Sequence, residues 1–228
     1  MADVSLSFAG QDFRPLPCGA LLWPAERLLI VADLHLEKGS HFARRGWLLP
    51  PHDSLDTLQR LAATIADVAP RGVVALGDSF HDEAGAERLP PGARALLQAL
   101  IGRVDWLWIT GNHDGDSAVR LGGRTAVEVE LAGIAFRHEA AAGACGPEIS
   151  GHFHPKLLLP LRTGRRVSRR CLALTPARLV LPAYGAYAGG LSVDDPALAA
   201  ALGARPDAVV ALADGLIRLT ARQRAMAA

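Results

Sequence analysis

GHFHP, residues 151–155, sets two histidines one residue apart between a glycine and a proline. Three other short stretches carry related side chains: DLH (33–35), GDSFHD (77–82) and GNHD (111–114). Together they supply Asp33, His35, Asp78, Asn112, His113, Asp114, His152 and His154. Carboxylates, imidazoles and an amide oxygen, with no thiolate, form a donor set suited to divalent manganese, iron or zinc. The set is too large for one ion and suits two that share a bridging carboxylate. Each stretch alone has a plain alternative. DLH occurs by chance, GD and GNHD make ordinary turns, and a histidine pair is often incidental. Turn chemistry does not account for all four in order, each after an apolar run.

Those apolar runs are the elements that must position the site. Residues 27–35 (RLLIVADLH) read as a buried strand ending in Asp33 and His35. Residues 54–69 repeat Leu55, Leu58, Leu61, Ala62 and Ile65 at helical spacing, with Asp53 or Ser54 as cap and Pro70 as stop. Residues 72–78 form a second buried strand ending in Asp78. Residues 90–102 form a helix that starts on proline. Residues 104–110 form a third strand running into GNHD. Strand, helix, strand, helix, strand with short links predicts an α/β core with parallel pairing. The polar residues then collect at the carboxyl ends of its strands, where open α/β sheets bind ligands.

The second half changes character. Residues 125–139 alternate and turn at Ala132 and Gly133, as a hairpin does. Residues 156–176, 178–184 and 207–219 also predict strands and hairpins, PEIS (147–150) precedes GHFHP as another strand, and a short helix is expected near 195–202. The Ala- and Gly-rich residues 139–146 predict a loop. With no internal repeat and no linker, the simplest architecture is a single domain over 1–228, with two packed sheets and helices outside them.

Composition bounds the function. The chain has 228 residues, net charge +1 and 50% hydrophobic residues, so it has no global basic field to attract a polyanion. Cys18, Cys145 and Cys171 are widely spaced and show neither a zinc knuckle nor a disulfide framework. A reducing, cytoplasmic setting is expected. The opening MADVSLSFAGQDF carries acids and no long apolar run, so no signal peptide is expected. No stretch approaches the ~20 apolar residues of a membrane span.

The ordered motifs resemble the calcineurin-like metallophosphoesterases. GDSFHD is more similar to the DNA double-strand-break repair nucleases than to the protein phosphatases. DLHLEKGSHFARRGWLLPPHD (33–53) and LVLPAYGAYAGG (179–190) resemble the ligase-associated DNA damage response endonucleases of the PdeM type. The resemblance implies an α/β fold, a four-layer α-β-β-α sandwich of two mixed sheets flanked by helices. It implies two divalent cations, manganese first, with iron or zinc as alternatives. One would be held by Asp33, His35, Asp78 and His154, the other by Asp78, Asn112, His152 and a further histidine. His138 is the candidate for that last position, although Glu139 stands where the family has glycine. His41 and His52 fall outside the motif order and read as surface residues. His81 would support a ligand or contact substrate.

The implied reaction is phosphodiester hydrolysis, with a metal-bridging hydroxide attacking in line. His113 would stabilise the leaving oxygen and Asp114 would orient His113; Asp114 also suits a helix cap for DSAVRL. Arginines cluster in residues 161–170 (LRTGRRVSRR), a hairpin turning at Thr163 and Gly164 just beyond GHFHP. Arg162, Arg165, Arg166, Arg169 and Arg170, with Arg44 and Arg45, are candidates for DNA backbone contacts. A charged edge that blocks aggregation is the plainer reading of such a run. The leading expectation is a DNA endonuclease acting in repair, associated functionally with a DNA ligase and a helicase. The alternatives are a phosphoesterase for a nucleotide, a pyrophosphate or a phosphoprotein, and a scaffold without catalysis, which would have no need of intact ligands and His113. The oligomeric state stays open, a homodimer included.

Overall fold

A computed structural model describes residues 5–50, 52–112, 118–141, 143, 145–160, 163 and 165–227. The chain opens with β1 (Leu6–Phe8), β2 (Gln11–Pro15), β3 (Leu21–Trp23) and β4 (Leu28–Val31), then α1 (Lys38–Ala43) and α2 (Asp53–Val68). Next come β5 (Gly72–Leu76), α3 (Gly85–Arg88), α4 (Pro91–Ile101), β6 (Asp105–Ile109) and β7 (Arg124–Ala126). The second half follows with β8 (Glu128–Leu131), β9 (Ile134–Arg137), β10 (Glu148–Ser150), β11 (Lys156–Pro160), β12 (Arg166–Arg170), β13 (Leu172–Leu174) and β14 (Arg178–Val180). It closes with α5 (Pro196–Leu202), β15 (Asp207–Ala211), β16 (Leu216–Leu219) and α6 (Ala221–Ala227).

Two mixed sheets result. The first runs β1-β2-β3-β4-β5-β6-β7, with β4 to β7 parallel. The second runs β16-β15-β13-β14-β10-β9-β8, with β10 parallel to both its neighbours. β11 and β12 form a separate antiparallel hairpin.

The period-two geometry of a strand explains the layers. On β4 and β5, Leu29, Val31, Val73 and Ala75 face a core shared with Leu58, Leu61 and Ile65 of α2 and Leu97 of α4. The intervening Ile30, Ala32, Val74 and Leu76 face Ile134, Phe136, Ile149 and Leu179 of the other sheet. Both faces are buried, so these strands read as continuous apolar runs. Trp23 of β3 stacks on Phe136 of β9 at 6.1 Å, tying sheet to sheet. A third cluster joins Ala173, Val180 and Ala208 to Leu198 and Leu202 of α5 on the far face. The order of layers is α-β-β-α, as the motifs imply. No helix among the described residues is long and apolar enough to cross a membrane.

Two local readings are revised. Neither Asp53 nor Ser54 caps α2, whose N-cap is His52 in the left-handed region with no side-chain cap. Their side chains turn instead to the first turn of α1. The Asp53 carboxylate accepts from the Gly39 N–H at 2.9 Å, and Ser54 Oγ accepts from the Glu37 N–H at 2.7 Å. The alternating run 125–131 also splits: β7 joins the first sheet, and β8 starts the second. Its polar-apolar pattern suits either sheet, and only tertiary pairing decides where it crosses.

Candidate metal centre

Four segments build the site. Asp33 and His35 follow β4, Asp78 follows β5, and His152 and His154 follow β10. His138 follows β9 directly. The loops bond to one another. The N–H groups of Asp33, His35 and Leu36 donate to the carbonyls of Gly77, Asp78 and Ser79, at 3.2, 2.9 and 2.9 Å. The Gly151 N–H donates to the His138 carbonyl at 2.8 Å. The His152 N–H donates to the Asp33 carboxylate at 3.0 Å.

This mutual bracing holds an unusual backbone. Asp33, His35, Asp78, His152 and His154 all have positive φ, at 53°, 44°, 46°, 69° and 47°. A side chain in that region costs on the order of 1–3 kcal/mol and persists only where its surroundings fix it. The cost falls here on polar residues that must converge.

They converge as two groups. Ligand atoms of Asp33, His35 and His154 lie within 4.8 Å of one another, and so do those of Asp78, His138 and His152. His35 Nε2 and His154 Nε2 are 3.2 Å apart, and His138 Nε2 and His152 Nδ1 are 3.1 Å apart. Two imidazoles bound to one ion at ~2.0–2.1 Å, meeting at about 100°, would stand at that separation. The residues therefore fit divalent cations.

The electrostatics of the two groups differ. Burial, reinforced by the neighbouring His154, pushes His35 down to about 3, so its imidazole is neutral and keeps a lone pair. Burial would also lower His138, but its hydrogen bond to Asp78 and the charges of Asp33 and Asp78 outweigh burial and raise it to about 9. His138 Nδ1–H donates to the Leu76 carbonyl at 3.0 Å, which aims Nε2 at Asp78 Oδ1, 3.5 Å away. The Glu139 carboxylate lies 3.6 Å from His152 Nε2. The other ring nitrogen, Nδ1, faces His138.

The motif glycines are there for space. A Cβ on Gly77, whose φ is +73°, would lie 2.4 Å from His138 Nδ1. A Cβ on Gly151 would lie 2.6 Å from the Asp33 carboxylate.

The remaining expected residues divide. Asn112 is exposed in the turn after β6, beside Gly111, which packs against Asp78. His81 is partly buried, its ring 5.6 Å from that of His35. Arg44, Arg45, Arg165, Arg166 and Arg169 are exposed. Arg170 departs from the expectation: it is partly buried, and its guanidinium donates to the Gly185 carbonyl at 2.7 Å. At the end of β12, it reaches the segment behind the Asp33 loop, since the Gly185 N–H itself donates to the Asp33 carbonyl at 3.1 Å. His113, Asp114 and Arg162 lie outside the described residues.

His41 was expected at the surface and is not free there. Its side chain is 16% exposed, and its Nδ1–H donates to Asp82 at 2.5 Å. Arg88 grips both Asp82 oxygens at 2.8 Å. The His41 ring is 4.6 Å from that of His81. The sequence signal was the final Asp of GDSFHD, which no ligand role used. Lys38 and Lys156 were also missed. The Lys38 ammonium is lowered by burial first and then by Lys156, so two cations stand close together beside the His35 loop.

The chain matches the calcineurin-like phosphoesterases over residues 26–155. Among solved structures it is similar to Pseudomonas putida nuclease MPE, with 26% identity and a TM-score of 0.72, covering 90% of this chain and 95% of that one. It is more distantly similar to YfcE, a phosphoesterase from E. coli, with 15% identity, a TM-score of 0.43 and coverage of 72% and 83%. Similarity to the protein AQ665 from Aquifex aeolicus has 15% identity, a TM-score of 0.39 and coverage of 56% and 78%. No curated protein matches significantly. The family match spans more than half of the sequence and ends on the GHFHP motif. The chain thus belongs to the calcineurin-like phosphoesterases, metal-dependent hydrolases that use two divalent cations.

Proposed function

We propose that the protein is a two-metal phosphodiesterase that cuts DNA. The observation that carries this reading is the pair of carboxylate–imidazole groups, in a chain whose fold follows a nuclease over nearly its whole length. Asp33, His35 and His154 would hold one cation. Asp78, His138, His152 and the Asn112 amide oxygen would hold the other, with Asp78 shared. Nitrogen and oxygen donors without thiolate suit manganese, iron or zinc, and the resemblance puts manganese first. Bound cations supply Lewis acidity toward a phosphate oxygen and lower the pKa of water.

The chain's own residues do the rest. The braced loops fix the ligand carboxylates before substrate arrives. His113, next to Asn112, donates a proton to the leaving oxygen, and Asp114 orients it. Lys38 and Lys156 offset phosphate charge near His35. Arg44, Arg45, Arg165, Arg166 and Arg169 track the strand. The resemblance to the ligase-associated endonucleases supports a cytoplasmic role in DNA repair, alongside a ligase and a helicase.

The test compares a chromogenic diester, a monoester, and single- and double-stranded DNA, with manganese, iron or zinc added to metal-free protein. The expected result is diester hydrolysis and internal cleavage of DNA. Monoester hydrolysis with both DNA forms left intact would replace the nuclease reading with a small-molecule phosphoesterase.

A further inference from the structure

Trp47 is 71% exposed and Leu48 is 90% exposed. The other three tryptophans, Trp23, Trp106 and Trp108, are buried at 0%, 2% and 1%. Single exposed leucines are ordinary, but a bare indole beside a bare leucine is an apolar surface left for something to cover.

The indole is not on a loose loop. Gly46, at φ +80°, turns the chain out of α1. The Gly46 N–H donates to the Ala43 carbonyl at 3.0 Å, and the Trp47 N–H donates to the Phe42 carbonyl at 3.0 Å. These are the paired bonds of a Schellman ending, which fix the backbone that presents Trp47. α1 itself abuts the metal centre. The Phe42 and His41 rings lie 5.5 and 4.6 Å from that of His81, which lies 5.6 Å from the ring of His35. Arg44 and Arg45, both exposed, immediately precede the turn.

We infer that Trp47 is a stacking platform for an unpaired base of single-stranded DNA, with Arg44 and Arg45 on the adjoining phosphates. This rests on the nuclease reading. Aromatic faces interleaved with cationic side chains are the chemistry that binds single strands, because every base offers a π-face to an indole once it leaves the stack. Duplex bases offer no such face, so the platform selects single strands. A second copy of the chain would also cover Trp47, but two adjacent arginines would then meet like charge across a two-fold contact. A polyanion led toward the metal centre meets the opposite charge.

Trp47 is its own reporter, because acrylamide reaches it and not the three buried indoles. The experiment titrates metal-free wild-type protein, so that DNA stays intact, with a single-stranded oligonucleotide, its duplex, and an abasic strand of equal length. The single strand is expected to quench the emission and shield it from acrylamide; the duplex and the abasic strand are expected not to. Trp47→Ala is expected to weaken single-strand binding roughly 5- to 150-fold, the range of one base–aromatic stack. Trp47→Phe should recover most of the loss, with unchanged thermal unfolding in both variants. Equal quenching by single strand and duplex, or by intact and abasic strands, overturns the platform. So does emission that changes with protein concentration alone, which assigns the surface to a second copy. Manganese-loaded protein that cleaves single strands while Trp47 stays unquenched also overturns the platform and leaves the nuclease reading standing. Failure to cleave any DNA removes both.

Discussion

Glu139, which follows His138, touches the second group of candidate ligands. Its carboxylate stands 3.6 Å from His152 Nε2, on the side of the ring away from His138. A carboxylate behind a ligand histidine raises its basicity, and losing one typically weakens metal binding 10- to 100-fold. Glu139 is half exposed, so the lower end applies. Glu139→Gly is expected to weaken the second cation about ten-fold in calorimetric titration and to leave the first unchanged. Equal affinity in variant and wild type would reduce Glu139 to a surface acid. Asp82 makes a different residue-scale case. Burial would raise its pKa, but hydrogen bonds from Arg88 and His41 outweigh burial and hold it well below the usual carboxylate range. A depressed carboxyl pKa adds stability that is present above the unfolded value, near 4, and is lost as pH falls through the folded one. Asp82→Asn should therefore cost roughly 1–2 kcal/mol at neutral pH, discounted for an acid about a quarter exposed. The gap should close in acid. Urea unfolding across pH checks this, and a gap that persists at the acid end would assign the loss to packing.

The hairpin of β11 and β12 tests which arginines serve the substrate. Its register pairs Leu157 with Arg169 and Pro160 with Arg166. Arg165, Arg166 and Arg169 point to solvent, whereas Arg170 holds the Gly185 carbonyl. Replacing the first three with alanine should lower the salt dependence of DNA binding by roughly 0.7–0.9 per lost phosphate contact. Cleavage of DNA should fall further than hydrolysis of a chromogenic diester. Arg170→Ala should instead lower the unfolding temperature and leave the salt slope intact. A reversed pattern would exchange the two roles. The hairpin is legible in the sequence because Thr163 and Gly164 interrupt two extended runs. The hold of Arg170 on Gly185 is not, because Arg166 and Arg170 share a residue type and a face of the strand, and only the packed segment beside Arg170 separates them. The same limit explains Asp53, Ser54 and His41. Each has the residue type of a cap or a surface group, and each is claimed by a segment far along the chain.

At the scale of the whole molecule, the metal groups lie across the junction of the two sheets. Asp33, His35 and Asp78 belong to the first sheet, and His138, His152 and His154 to the second. Each group draws on both: Asp33 and His35 meet His154, and Asp78 meets His138 and His152. The motifs bring Asp33, His35, Asp78, His152 and His154 together in the sequence, because chemistry fixes their types and strand ends fix their places, whereas His138 entered only through the resemblance. That each cation would clasp one sheet to the other appears only when the sheets are stacked. The consequence is a linkage between metal and global stability. Asp33 and Asp78 are nearly inaccessible carboxylates, 0% and 4% exposed, with imidazoles of His154 and His138 against them. A cation at 100 times its dissociation constant adds about 2.7 kcal/mol to the folded state alone. For a domain of this size that corresponds to roughly 5–10 °C in unfolding temperature. Manganese added to chelator-treated protein should raise the midpoint by that amount per occupied site. Asp33→Ala and Asp78→Ala should each lose part of the shift, and the double variant should lose all of it. If the double variant responds to manganese as the wild type does, the cations bind elsewhere and the sheets are held by their apolar interface alone.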